Sequence, residues 1–307
     1  MTISATIIAD SISPTGNRLT TFSLRYPRFI HAEFMTHRMF SRNASSSRAI
    51  PVKRMIEDLR RDPAMPVYWG SNKPGMQAGA EVEKRMLQNC KNMWLAAMEE
   101  AIDSAQLLMA YGLHKQIANR ILEPWAHINV VVTATEWANF FALRAHPDAQ
   151  PEIKELAEAM MAAIGQSDPV LLASGQWHLP YVDLNGQSDD VDAATDHITA
   201  NGVLRVVPTW NQIESLLKKV SVARCARVSY LTHDGRKTTV EEDLKLYEQL
   251  VVSQPLHASP AEHQATPDEA LDPRPDGTHE WARSDLHGNL VGWIQYRKTL
   301  PNEFIAG

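Results

Sequence analysis

Between residues 20 and 37 the chain changes its hydrophobic period, and that change limits what it can fold into. Phe22, Leu24 and Tyr26 in "TTFSLRYPRF" alternate as on a half-buried strand. Pro27 ends the run, and Ile30, Phe34 and His37 then fall at helical spacing. The β-branched run "INVVV" predicts a second strand, and residues 80–111 carry the longest helical pattern. Its stripe of Met86, Cys90, Met93, Ala97, Ala101 and Leu108 is expected to face the core, with Cys90 as a packed thiol.

The remaining elements follow from local signals. "HKQIANRILEP" predicts a short helix stopped near Pro124. Thr133 and Glu136 have capping-box spacing at the head of "TATEWANFFALRAH", and "PEIKELAEAMMAAI" predicts another helix. Residues 165–220 are rich in Gly, Asp, Ser and Pro and read as a connector running over the surface, with "SGQWHLPYV" their one compact apolar piece. "SVARCARVSY" has strand-like composition. Thr239 and Glu242 repeat the capping-box spacing, ahead of a helical stripe of Val240, Leu244, Tyr247 and Val251.

Composition narrows the chemistry. A net charge of −6 argues against a general nucleic-acid binder, which carries a basic excess. Two cysteines, Cys90 and Cys225, permit neither a disulfide framework nor a four-thiolate metal site. The start "MTISATIIADSISPTG" lacks a basic n-region and no stretch reaches transmembrane length, so a cytoplasmic protein is expected. His37, His257 and His263 form no i, i+4 pair, and no HExxH occurs, so no metal is expected. No Gly-x-Ser-x-Gly elbow, Walker loop or dinucleotide fingerprint is present, and neither cysteine has a local histidine partner. In an enzyme of this kind a cofactor carries the difficult chemistry and the protein holds it.

The polar density is concentrated in "THRMFSRNASSSR", residues 36–48, predicted as a helix end giving way to an irregular serine-rich loop. Such a run of donors suits an anion. Arg38, Arg48, Arg120 and Arg144 each stand among polar residues, and guanidinium forks match phosphate oxygens. Singly, such arginines are more often surface or salt-bridge residues; together, with Ser46, they point to an anion site.

These residues resemble the flavin-dependent thymidylate synthases. The family's Arg-His-Arg, Ser, Asn-Glu, Ser, Arg signature reads here Thr36-His37-Arg38, Ser41, Asn43-Ala44, Ser46, Arg48. Its Asn-Phe-x-x-Leu-Arg run is Asn139 through Arg144, followed by "AQPEI", and Arg120 matches the arginine before its Leu-Pro turn. Its "ARVSY" and H-x-S/T-P-x-E-H blocks appear as "ARVSY" and "HASPAEH", but after the signature instead of before it. The resemblance therefore implies a circularly permuted α+β fold, a mixed or antiparallel sheet packed with long helices. One catalytic domain over 1–307 is expected: a core (1–164), a connector (165–220), a permuted core segment (221–264) and a tail (265–307).

The resemblance also implies roles. His37, Arg38, Ser41, Asn43, Asn139, His257 and Ser259 would bind cofactor: FAD, with His257 near the folate or nicotinamide face. Ser46, Arg48, Arg120 and Arg144 would hold dUMP, with Arg144 as the catalytic group polarising the base. The reaction implied is one-carbon transfer to C5 from 5,10-methylenetetrahydrofolate with NADPH, in a homotetramer whose sites draw on several subunits. Thr36, Ala44 and Ala49 depart from the family's Arg, Glu and Tyr. In the tail, Arg297 and Asn302-Glu303 echo the signature spacing. Two readings stay open: a C5-modifying enzyme, methylating or making a related product such as hydroxymethyl, and a nucleotide-binding relative without that activity.

Overall fold

The computed structural model describes residues 3–184, 188–201, 207–228, 236–253, 256–273, 279–301 and 303. In chain order come β1 (Ser4–Ile12), β2 (Arg18–Pro27), α1 (His31–Phe34), β3 (Ser41–Ala44), α2 (Val52–Arg61) and α3 (Lys84–Ala110). Next are α4 (Lys115–Ala118), β4 (His127–Ala134), α5 (Ala138–Arg144), α6 (Pro151–Gly165) and β5 (Val170–Leu171). Last are α7 (Asp189–Asn201), α8 (Trp210–Arg227), α9 (Val240–Tyr247), β6 (Ala265–Pro267), β7 (Ala270–Pro273), β8 (His279–Trp281) and β9 (Trp293–Gln295).

The central sheet has the order β3-β4-β2-β1-β5; β5 runs parallel to β1 and the other pairs are antiparallel. The fold is α+β with a mixed sheet. On one face Phe22, Leu24 and Tyr26 of β2 meet Ile128, Val130 and Val132 of β4 and pack with Phe34, Phe140 and the α6 residues Ile153, Leu156 and Met160. The opposite face carries Thr21, Thr133 and Val131, with Cys225 of α8 packed on Val131. Burial on both faces is why Val130, Val131 and Val132 read as a continuous apolar run.

Several sequence expectations give way here. The buried face of α3 is Met98, Ile102 and Ala105, packed with α2 and Leu122, while Met86 is 51% and Met93 69% exposed. The helix is apolar on two sides, and periodicity alone does not choose which one meets a neighbour. Residues 210–227 form the helix α8, not a strand: its Val220, Val222 and Cys225 are buried by packing, which overrides their β propensity. Ser229 and Tyr230 of the "ARVSY" block lie outside the described residues. Thr133 does not cap α5, whose N-cap is Trp137 without a side-chain bond; its hydroxyl is engaged inside the sheet. Thr239 and Glu242 do form a capping box. Residues 165–220 do not simply run over the surface: Leu179, Val191, Ala194, Ile213 and Leu217 make a core of their own. A helical period hidden in a polar, acidic segment is what concealed it.

Among the described residues no helix is long and apolar enough to cross a membrane.

Candidate functional site

The signature segment is built into the sheet edge. After α1 ends, residues 36–40 turn back, and Arg42 closes that turn by donating to the carbonyls of Met35 (3.0 Å) and His37 (2.9 Å). Residues 41–44, expected to be irregular, are strand β3, because β4 offers an open edge with matching register. Ser45 and Ser47 serve the backbone and its neighbours. The Ser45 hydroxyl accepts from the Asn129 amide (3.1 Å), and Ser47 donates to Glu123 (2.5 Å). Asn119 then holds the carbonyls of Ser47 and Ile50 at 2.8 and 2.9 Å. Ser46 and Arg48 stay exposed.

Of the sequence-predicted residues, four come together. His37, Arg38, Asn139 and Arg144 line one cavity of about 430 Å³ with Thr36, Phe40, Glu136 and Leu143. His37 Nε2 accepts from Arg144 Nε at 2.9 Å, and the Arg144 guanidinium reaches the Thr36 hydroxyl at 3.4 Å. The imidazole stands edge-on to Phe140, with ring centroids 4.8 Å apart. Burial first, then the charges of Arg144 and Arg42, lower the His37 pKa, so at neutral pH it accepts from Arg144 and fixes the guanidinium plane.

A second group is separate from that cavity. Arg120 pairs with Glu123 (2.9 Å), the same carboxylate that takes Ser47, so Arg120 sits beside the loop carrying Ser46 and Arg48. Arg144, expected with these three, lines the His37 cavity instead.

A third group joins the late loop to the signature. The Asn43 amide lies 3.4 Å from the Ser259 hydroxyl, while His257 is exposed and its backbone N–H bonds Leu250. Ser41 is buried, held by Asn289 and Gln295; Asn289 also donates to the Met39 carbonyl at 2.9 Å. Arg297, noted for its signature-like spacing, pairs with Glu262 of the late loop and with Glu303. Asn302 lies outside the described residues.

Sequence reasoning missed the connection beneath these groups. In the orientation that satisfies its amide, Asn43 donates to His263 Nε2 (2.9 Å) and to the carbonyl of Ser259 (3.2 Å). His263 Nδ1–H then donates to Thr133 (2.8 Å), Thr133 to Thr21 (2.7 Å), and Thr21 to His178 Nε2 (2.7 Å). His178 Nδ1–H donates to Ser11 at 2.8 Å. The relay crosses β3, β4, β2 and β1 in turn, and within it His263, Thr133, Thr21 and His178 each donate once and accept once. Both histidines are fully buried, and burial holds their pKa values down to about 3. The one advance signal was His178 standing inside the compact apolar piece "SGQWHLPYV". Cys225 is also fully buried, its thiol pushed far up by desolvation, which leaves it inert as a nucleophile.

With this geometry in hand, comparison defines the class. The family model of the thymidylate synthase complementing protein matches residues 11–170, more than half of the chain. The chain belongs to that family, the flavin-dependent thymidylate synthases. The "HASPAEH" block and the end of α8 lie beyond the matched segment. Among solved structures, the UMP/dUMP methylase PolB from Streptomyces cacaoi bound with 5-Br UMP is 20% identical, covering 55% of this chain and 90% of its own, at a TM-score of 0.43. The same protein bound with 5-Br dUMP is 20% identical over 55% of this chain and 91% of its own, at 0.45. No curated protein sequence matches the chain.

Proposed function

We propose that the protein transfers a one-carbon unit to C5 of dUMP in a flavin-dependent reaction, with 5,10-methylenetetrahydrofolate as donor and NADPH as reductant. The observation that carries this reading is the His37–Arg144 pair, set in one cavity with Arg38 and Asn139. The donor set fits FAD: a neutral imidazole, an amide and an exposed guanidinium suit ring carbonyls and phosphate oxygens, and His37, Arg38 and Asn139 would hold it. When bound, the flavin supplies redox chemistry that no side chain here offers. Arg144 polarises the pyrimidine by placing a fixed charge at a base oxygen, which activates C5 without a thiolate adding at C6. Ser41, Asn43, Ser259 and His257 extend the cofactor surface, and Ser46, Arg48 and Arg120 hold the phosphate.

The separation of Arg144 from the phosphate group within one chain supports a site completed by neighbouring subunits. So does the exposed apolar side of α3, where Met86, Met93 and Leu107 stand open. We read the assembly as a cytoplasmic homotetramer of single-domain chains. A second reading, C5 hydroxymethylation or nucleotide binding without turnover, is favoured by Thr36. This departure from the signature lies inside the cavity, within 3.4 Å of Arg144.

Purified protein should be yellow, with absorbance near ~450 nm from an oxidised isoalloxazine. Turnover with dUMP should give a methylated product by mass spectrometry. A colourless protein that binds dUMP decides for the second reading. Arg48→Ala should weaken dUMP binding by roughly 2–4 kcal/mol, the scale for stripping a charge partner from a buried anion. Unchanged affinity by calorimetry removes Arg48 from the phosphate site.

A further inference from the structure

A second cavity, of about 320 Å³, lies between α2 and the ends of β2 and β4 and shares no residue with the His37–Arg144 cavity. Arg25, Arg28, Arg54 and Arg61 line it, against two carboxylates, Asp58 and Asp62. The carboxylates are stretched thin. Asp58 serves both Arg54 (3.5 Å) and Arg61 (2.5 Å), and Asp62 pairs with Arg25 at 2.8 Å. Arg28 depends on Glu123 at 3.3 Å, which also serves Arg120 and Ser47. Among the described residues, four positive and two negative lining groups leave an excess of two positive charges in a chain whose net charge is −6.

His127 reports the same field. Its Nδ1 faces the Arg25 guanidinium at 3.0 Å and can only accept there, so the ring is neutral. The other nitrogen, Nε2, is buried and has no hydrogen bond of good geometry among the described residues. Burial and then the Arg25 charge lower the His127 pKa to about 4. The wall from α2 adds the apolar side chains of Met55 and Leu59. Guanidinium forks on one side and apolar surface on the other suit a phosphorylated ring compound, and two surplus charges match a phosphate dianion.

We propose that this cavity is a second phosphate site, taking the phosphoryl group of a mononucleotide-sized ligand. It shares no residue with the His37 cavity but adjoins the Arg48 loop, whose Ser45, Ser47 and Ile50 line it, so it rests in part on that loop's proposed role. Arg48→Ala tests the loop, and substitutions at Arg25 and Arg54 test this cavity. The phosphoryl group could come from the nucleotide substrate or from a dinucleotide cofactor, and competition separates these sources.

The experiment follows the His127 imidazole by NMR in the full-length protein during titration with inorganic phosphate and then pyrophosphate. A bound anion, singly charged as phosphate and doubly charged as pyrophosphate near the His127 midpoint, offsets the Arg25 charge, so that midpoint should rise, by about one pH unit or more with pyrophosphate. Arg25→Gln should abolish that rise. Arg54→Gln, at an exposed helix position, should weaken phosphate binding about tenfold with little risk to folding. dUMP displacing phosphate from His127 assigns the site to the substrate; FAD or NADPH displacing it assigns the site to a cofactor. A His127 midpoint unmoved by either anion overturns the proposal. So does a rise that survives both substitutions, which locates the anion elsewhere.

Discussion

Lowering the pH from 7 to 5 is expected to cost the fold about 4 kcal/mol through His178 and His263 alone. In the unfolded chain each titrates near pH ~6.5. In the folded chain each is fully buried and both ring nitrogens are committed to the hydroxyl and amide relay, so neither takes a proton until about pH 3. Between those values the unfolded state binds more protons, so stability falls as pH falls. At pH 5 an unfolded histidine is about one and a half units below its pKa, worth about 2 kcal/mol each at ~1.4 kcal/mol per unit. The figure barely depends on the folded value, because anything near 3 leaves the ring neutral at pH 5. Glu152 acts in the opposite sense: burial raises its carboxyl, so its protonation as the pH falls offsets part of this loss. Urea denaturation at the two pH values measures the loss. Imidazole NMR should show both rings as Nδ1–H tautomers that do not titrate down to pH 5. Rings that titrate near pH 6.5, or a stability flat across the window, would break the relay as drawn.

That relay also shows how much could be read in advance. The strands at 18–27 and 127–134 were legible because Phe22, Leu24, Tyr26 and the "INVVV" run carry their period openly. The association of His37, Arg38 and Asn139 was legible through motif resemblance, although they lie on two short segments about a hundred residues apart, whereas Arg144 was expected with Arg48 and Arg120 and joins this cavity instead. What stayed hidden depends on partners remote in sequence. Thr133 looked like a helix cap because its local spacing to Glu136 allows one. Thr21 and His263 bind its hydroxyl instead, and no local pattern records them. The buried side of α3 and the helical state of 210–227 were decided likewise, by which neighbour supplied an apolar surface.

Arg144→Ala should lower kcat by two to three orders of magnitude with a much smaller change in KM for dUMP. Arg144 is aimed by a short contact: its Nε donates to neutral His37 at 2.9 Å, leaving the terminal nitrogens for the cavity, where Thr36 is the near neighbour at 3.4 Å. A fixed donor facing developing charge is worth about 3–4 kcal/mol, or about 10²–10³ in rate. Its share of ground-state binding is modest if Arg48 and Arg120 hold the phosphate. Arg144→Lys keeps the charge but loses the fork and the Nε–H that His37 accepts, so it should recover little. His37→Phe keeps the ring on Phe140 but removes both ring nitrogens, the acceptor for Arg144 and the N–H proposed to meet the flavin, so the comparison is made at saturating FAD. It should therefore lower kcat less than Arg144→Ala does, and adding it to Arg144→Ala should cost almost nothing more, because the two act as one unit. A loss confined to KM would make Arg144 a phosphate ligand. Additive losses would mean that His37 acts on its own account, and the cavity would then hold two independent groups in place of one aimed guanidinium.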